Sequence, residues 1–388
     1  MPSSNSNSAK KKRSASRRSL LPYLILFIIL LIASSVVLAY LISNHLKASE
    51  GIESVTLLSS KSGFTCDYSE TQKIYPFADG VIKVTASRVS YLSVSGKEIY
   101  GQDIEMTNPF CVVSDGYAIV ADTGGYFCAL FNESGLVYQQ QMTGAINYAT
   151  VSSDGVAALI IERADTKGSV YLLSASGEFL AQWYSVESGY PVSVSFSPNH
   201  ELLNIALADT DGSVMQSRLK QLLLPDETHS GISEYSLYSP TVSALLPSIS
   251  YIGNDITVLA GISDLLCLKD GKITALSPTY TNIYSVLSTD SGVAVFYSDG
   301  VSQEIKMEIV DSSMTRGKSI VIGNSFVTAT QGYEMIAVCC DQSIMIIDAD
   351  SNEIIKTITV DDEVLRMGFL DKNAIIVVSE NGVHKINL

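Results

Sequence analysis

Only one tryptophan and four histidines occur among the 388 residues. His45, His200, His229 and His384 are scattered and show no zinc-ligand spacing. No G-x-S-x-G turn, phosphate-binding loop or zinc motif is present, which removes the usual sequence signatures of acyl hydrolases, nucleotide enzymes and zinc enzymes. No acid precedes Glu50, and no charged residue or histidine lies between Leu20 and Ile42. Beyond that stretch no amphipathic run reaches helical length, so the body of the chain is not helical.

The uncharged stretch LLPYLILFIILLIASSVVLAYLI, residues 20–42, makes a helix of about 34 Å, enough for a hydrocarbon core of about 30 Å. Pro22 falls in its first turn, where a missing N–H costs little. Six basic residues, Lys10 to Arg13 with Arg17 and Arg18, precede it, and only His45 and Lys47 follow closely. This bias predicts a basic, serine-rich, disordered tail (1–19) in the cytoplasm and a single transmembrane helix (20–42). A linker (43–54) and an extracytoplasmic body (55–388) follow. A cleaved signal peptide ending at Val37-Leu38-Ala39 is the alternative, but its apolar core is usually about 7–15 residues. Ser16-Arg17-Arg18-Ser19-Leu20-Leu21 also resembles a twin-arginine export signal.

All 40 acids lie beyond the span with 19 of the 25 Lys and Arg, so residues 43–388 carry 19 − 40 = −21. Phosphate contacts need basic clusters, which excludes nucleic acid as the expected ligand. Apolar residues there come in short bursts bounded by Gly, Asp, Asn and Ser, the signature of strands and turns.

The bursts repeat. A turn followed by a continuous apolar strand occurs at Asp79-Gly80, Asp115-Gly116, Asp154-Gly155, Asn199-His200, Asn254-Asp255, Ser291-Gly292, Gln331-Gly332 and Asp371-Lys372. The mean spacing is about 42 residues, the length of one four-stranded propeller blade. A strand covered on both faces by neighbouring blades reads as an unbroken apolar run, as these do. A short innermost strand precedes each turn, from KIYPF and PFCVV to SFVTAT and LRMGF. The expected fold is therefore all-β: a β-propeller of eight four-stranded blades behind one N-terminal helix. Irregular spacings around Asn199 leave seven blades as the alternative. Only two strands follow Asp371, so the strand-like Glu53–Ser59 is expected to complete the last blade and cover its edge.

Val192–Ser197, Pro198-Asn199, the buried strand and Asp211-Gly212-Ser213-Val214 resemble a WD40-type blade. The layout of residues 55–388 also resembles eight-bladed quinoprotein-like propellers and a bacterial family of membrane-anchored propellers of unassigned function. These motifs are structural and imply fold, not activity. Quinoprotein dehydrogenases stack their cofactor on a disulfide between adjacent cysteines. Here Cys339-Cys340 sits inside an apolar strand, and the family's repeated tryptophan motif is absent, so no cofactor is expected. Cys111 and Cys128 fall two strands apart, about 10 Å, beyond disulfide reach. The cysteines read as buried thiols.

Asp348-Ala349-Asp350-Ser351-Asn352 begins like a calcium loop, but Glu353 stands where that loop needs Gly and Thr359 where it needs Glu. It reads as a hairpin turn, and Asp361-Asp362-Glu363 as solvated turn acids. No metal site or catalytic residue is expected. Three successive connections from an outer strand to the next innermost strand are aromatic: Trp183, Tyr184 and Tyr190; Tyr235 and Tyr238; Tyr280 with Tyr284. Blade topology puts such connections on one face, which predicts a partner-binding surface there. The expected function is a protein-binding or scaffolding module of the cell envelope whose partner is an envelope or membrane protein. A glycan hydrolase or lyase, and a ligand sensor relaying through a membrane partner, are the alternatives.

Overall fold

Each apolar burst becomes a strand, and each Asp–Gly or equivalent turn joins it to the strand before it. The computed structural model describes Ser35, residues 52–54, 62–225, 231–242 and 244–388. The tail, the span and most of the linker expected from the sequence lie outside these residues. Among the described residues no helix is long and apolar enough to cross a membrane. Contacts divide the chain into two compact units, Met1–Ile52 and Glu53–Leu388. Among the described residues the second consists of strands and one four-residue helix, Tyr68–Thr71.

Eight antiparallel sheets follow one another along the chain. Blades 1 to 7 occupy residues 74–103, 109–141, 146–184, 190–238, 248–275, 282–323 and 326–359. Blade 8 takes three strands from the C-terminus (residues 364–387) and its outer strand, Gly63–Thr65, from the other end of the chain. In blades 1 to 7 the four strands run from innermost to outer in chain order, and the second strand of each blade is almost wholly buried.

A separate apolar cluster fills each junction between neighbouring blades. Ile119, Leu130, Ile146 and Leu159 join blades 2 and 3, and Leu219, Leu246, Leu259 and Leu266 join blades 4 and 5. Ile74, Val81 and Leu92 of blade 1 pack on Ile376, Val378 and Val383 of blade 8, so the ring closes on itself. The eight-blade expectation is realised, and the seven-blade alternative is set aside.

Closure differs from the sequence expectation. The strand that covers Gly382–Asn387 is Gly63–Thr65, pairing Gly63 with His384 and Thr65 with Gly382. Phe64 enters the blade 8–blade 1 junction, and its ring lies where a Cβ on Gly96 would approach to 2.7 Å. Glu53 and Ser54, in the short strand Ile52–Ser54, instead extend the sheet of blade 7 beyond Glu353–Thr359. The remainder of the expected closing segment, residues 55–59, lies outside the described residues. Three residues of glycine-led strand are too few to register as a periodic apolar segment.

Outer strands carry a recurrent register shift. Six blades have one, and it extrudes one residue from the pairing: Ile99, Val137, Leu180, Tyr235, Ile322 and Ile355. A bulge twists a free edge away from further pairing, which protects the outer strands of the ring from edge-to-edge association.

Candidate functional site

Antiparallel order sorts the connections onto two faces. Turns from the first to the second strand and from the third to the fourth form one, the hairpin face. Connections from the second to the third strand, and from the fourth to the next blade's first, form the other, the loop face. Outside the strands, the described residues expose seven large apolar or aromatic side chains on the loop face: Tyr68, Tyr126, Val186, Val214, Met215, Ile262 and Val301. The hairpin face exposes one such connection residue, Tyr333. Exposed apolar surface concentrated on one side of a monomer marks an interaction site.

The centre of the loop face is shaped by a second set of register shifts. Near the start of the innermost strand, blades 3, 4, 6, 7 and 8 each insert one unpaired residue: Asn147, Val192, Tyr284, Val327 and Leu365. Such bulges re-aim side chains and recur beside functional sites. Tyr284 is 43% and Val327 38% exposed, and the Tyr284 ring stacks 5.8 Å from Phe326 of blade 7. Between blades 5 and 6, Pro247, Ile262, Ile283, Tyr284 and Val286 line a cavity of about 430 Å³.

Further out, the second-to-third-strand connection of blade 3 supplies two cations to two tyrosines. Arg163 lies 5.1 Å from the Tyr184 ring centre and donates to both Asp165 oxygens, at 2.9 and 3.0 Å. Lys167 lies 5.9 Å from the Tyr190 ring centre and pairs with Asp211 at 2.6 Å. The Arg163 guanidinium holds the Asp165 carboxyl below its usual range. Tyr184 and Tyr190 are 45% and 49% exposed. Fixed aromatic rings beside arginine are the side chains that most often anchor an interface.

The six residues singled out from the sequence divide. Tyr184 and Tyr190 lie exposed at the loop-face ends of their strands. Trp183 is 7% exposed, inside the blade 3–blade 4 cluster, with its indole N–H donating 3.2 Å to Glu234. Tyr280 is 5% exposed in the blade 5–blade 6 cluster. Both are junction residues and not exposed anchors: each ring is buried in an apolar cluster, with the indole N–H reaching the exposed Glu234 and the Tyr280 hydroxyl the buried Glu308. Tyr235 is exposed but sits on the outer strand Ser233–Tyr238 as the bulged residue, so it faces outward from the rim and not from a loop. Tyr238, on the same strand, packs against the blade 4–blade 5 cluster. The apparent insertion between Leu222 and Leu245 therefore contains this strand.

Val186, Ile262 and Val301 escaped sequence reading because each is a lone apolar residue in a polar loop, and Val214 with Met215 because they follow a motif read as structural. The bulged residues had no sequence signal, since a register shift changes which face a side chain takes without changing composition.

Asp348 accepts the backbone N–H of Asp350 and Ser351 at 3.2 and 2.7 Å, and these bonds lower its pKa, so the calcium-like segment is a hairpin turn. Among the described residues no group of three or more His, Cys, Asp and Glu could hold a metal ion. All six cysteines are free, and all but Cys66 are buried.

A family model described as "Family of unknown function (DUF5711)" matches residues 53–388, and the chain belongs to that family. No curated protein matches it. Among solved structures, Sqt1 from Chaetomium thermophilum superposes with a TM-score of 0.58 at 12% identity, covering 85% of this chain and 98% of that one. BamB from Moraxella catarrhalis gives 0.52 at 14%, covering 84% and 96%. Apo AztD from Citrobacter koseri gives 0.54 at 11%, covering 74% and 86%. A further Sqt1 structure, at 0.52 and 13% over 81% and 92% of the chains, is bound to the N-terminus of ribosomal protein L10. At such identities the likeness is one of fold.

Proposed function

We propose that this member of the DUF5711 family is a membrane-tethered, extracytoplasmic protein-binding module whose loop face receives an envelope or membrane protein. The observation that carries the binding half is the seven-to-one concentration of exposed apolar connection residues on that face, with Tyr184 and Tyr190 beside it. The Sqt1 complex supports the reading, since a ring of similar fold there holds a segment of another protein. Tethering rests on the uncharged run at residues 20–42 and the six basic residues before it. In this reading the ring acts by binding and holding, not by turnover.

Two measurements test it. Protease added to intact cells or spheroplasts should remove residues 62–388 while a tag at Met1 survives; a protected C-terminus refutes the tether. Changing Tyr184 and Tyr190 together to Ala should lower affinity for a partner purified with the native protein by tenfold or more. Unchanged affinity in the folded double variant refutes the loop-face assignment.

A further inference from the structure

The hairpin face has the opposite chemistry. Every junction between an innermost and a second strand carries an acid, seven within the turn (Asp79, Asp115, Asp154, Glu201, Asp255, Asp290 and Glu334) and Asp371 as the last residue of its innermost strand. All eight are exposed. Asn, Gly and Ser would form such turns as well, so turn geometry does not by itself call for a carboxylate in all eight blades. Cations within these turns are few: His200, 3.3 Å from Asp154, and Lys372 beside Asp371. A ring of like charges around a low-dielectric mouth focuses a negative potential on its centre.

On one side of that mouth is an open cavity of about 710 Å³, lined by the innermost strands and first turns of blades 7, 8, 1 and 2. Tyr75, Phe369 and Tyr333 supply aromatic wall, and Asp115 and Gln331 supply polar atoms. Inside the ring one aromatic face already holds a guanidinium, with Arg366 lying 4.3 Å from the Tyr75 ring centre. The wall at Tyr333 is held under strain. Tyr333 and Glu334 have φ of +54° and +60°, a conformation that non-glycine residues adopt at a cost. Tyr333 nonetheless projects 57% exposed, packs edge-on to Phe369 at 6.3 Å and donates to the Leu370 carbonyl at 3.2 Å.

We infer that this mouth is a second binding site, distinct from the loop face, for an arginine-bearing segment of a partner protein. A guanidinium docks against the aromatic wall that Phe369 and Tyr333 present to the cavity, with Asp115 at the rim, and the acidic ring draws the rest of the basic segment to the mouth. Aromatic faces and carboxylates together suit a guanidinium, which stacks and donates in one plane. The cavity sets where the segment docks and the eight acids set its charge.

The test is isothermal titration of the full-length protein with an acetylated, amidated tetra-arginine peptide at low salt, with tetra-glutamate as comparison. One peptide should bind per chain with submillimolar affinity, weakening as salt rises, and tetra-glutamate should not bind. Asp115→Asn with Tyr333→Gly should weaken binding at least tenfold. Glycine relieves the positive φ at that position, so this variant retains its fold, checked by its melting curve. Glu187→Gln, the same charge change on the loop face, should leave affinity within twofold. Absence of tetra-arginine binding at millimolar concentration overturns the inference. So does binding that the hairpin-face pair changes no more than Glu187→Gln does, since that is diffuse attraction to an acidic protein. Loss of loop-face binding in Tyr184→Ala with Tyr190→Ala leaves this result unaffected, so the two sites fail separately.

Discussion

The Tyr280 hydroxyl donates a 2.7 Å hydrogen bond to Oε1 of Glu308, a carboxylate only 3% exposed at the junction of blades 5 and 6. Tyr297 donates to the other oxygen at 3.2 Å. Arg316 approaches Glu308 to 3.5 Å while its guanidinium lies 4.2 Å from the centre of the Tyr280 ring. A tyrosine expected on sequence grounds to meet a partner thus completes the polar core of a junction.

Deleting either end of that bond should lower stability by different amounts. Tyr280→Phe removes one hydrogen bond to a charged acceptor and should cost about 1.5–3 kcal/mol. Glu308→Ala takes the acceptor from Tyr280 and the carboxylate from Arg316, while Tyr297 keeps Ser319 and Arg316 keeps the Pro278 carbonyl, and should cost more, about 3 kcal/mol or above. Denaturant unfolding of the two variants measures both. Equal, near-zero losses would mean the cluster contributes nothing net.

Alkaline pH should weaken the ring. Burial, followed by the nearby carboxylates, raises the hydroxyl pKa of Tyr91 and Tyr280 above the ordinary value of 10.0, and burial, followed by nearby Cys111, raises that of Tyr100. A raised folded-state pKa contributes stability that is fully present below the unfolded value and lost as pH rises past it. Melting temperature should therefore be insensitive to these groups up to about pH 9 and fall above about pH 10. Tyrosinate absorbance should rise in step with unfolding; ionisation of all tyrosines in a still-folded protein would contradict this.

Closure makes a sharp truncation test. A chain beginning at Ser62 keeps the outer strand of blade 8 and should retain the ring. One beginning at Asp67 exposes the edge of Gly382–Asn387 and empties the site of Phe64. It should aggregate or melt far lower. Equal melting curves for the two chains would show that the strand Gly63–Thr65 does not hold the ring closed.

How much of this the sequence disclosed depends on pattern length. All eight innermost and second strands were legible, because a short, mainly apolar run preceded by a turn repeats in every blade. Gly63–Thr65 was not, being three residues long. Trp183 was misplaced for a different reason. It alternates with Gln182 and shares the inward side of Ala181 on the strand Phe179–Tyr184, so period-two reading would have buried it. Reading it as loop discarded that information. Tyr235 required the bulge opposite Gln221 and Leu222 to be known.

Thiol reactivity should follow burial. Burial pushes the Cys128, Cys339 and Cys340 thiols up to about 12, and thiolate is the reactive form. Iodoacetamide at pH 8 should modify Cys66 first in the native protein, and Cys111, Cys128, Cys267, Cys339 and Cys340 only after unfolding. Mass spectrometry of the alkylated peptides reads the order. Rapid native labelling of Cys339 or Cys340 would place that strand at the surface.

Site-specific photo-crosslinking in native membranes tests the central claim most directly. A photoreactive phenylalanine analogue placed singly at Tyr184, Tyr190, Ile262 or Val301 samples the loop face; Ile99 and Ile355 sample the rim. The loop-face positions should each trap the same partner protein, and the rim positions should trap none. Crosslinks to one common partner from the rim, with none from the loop-face positions, would contradict the account.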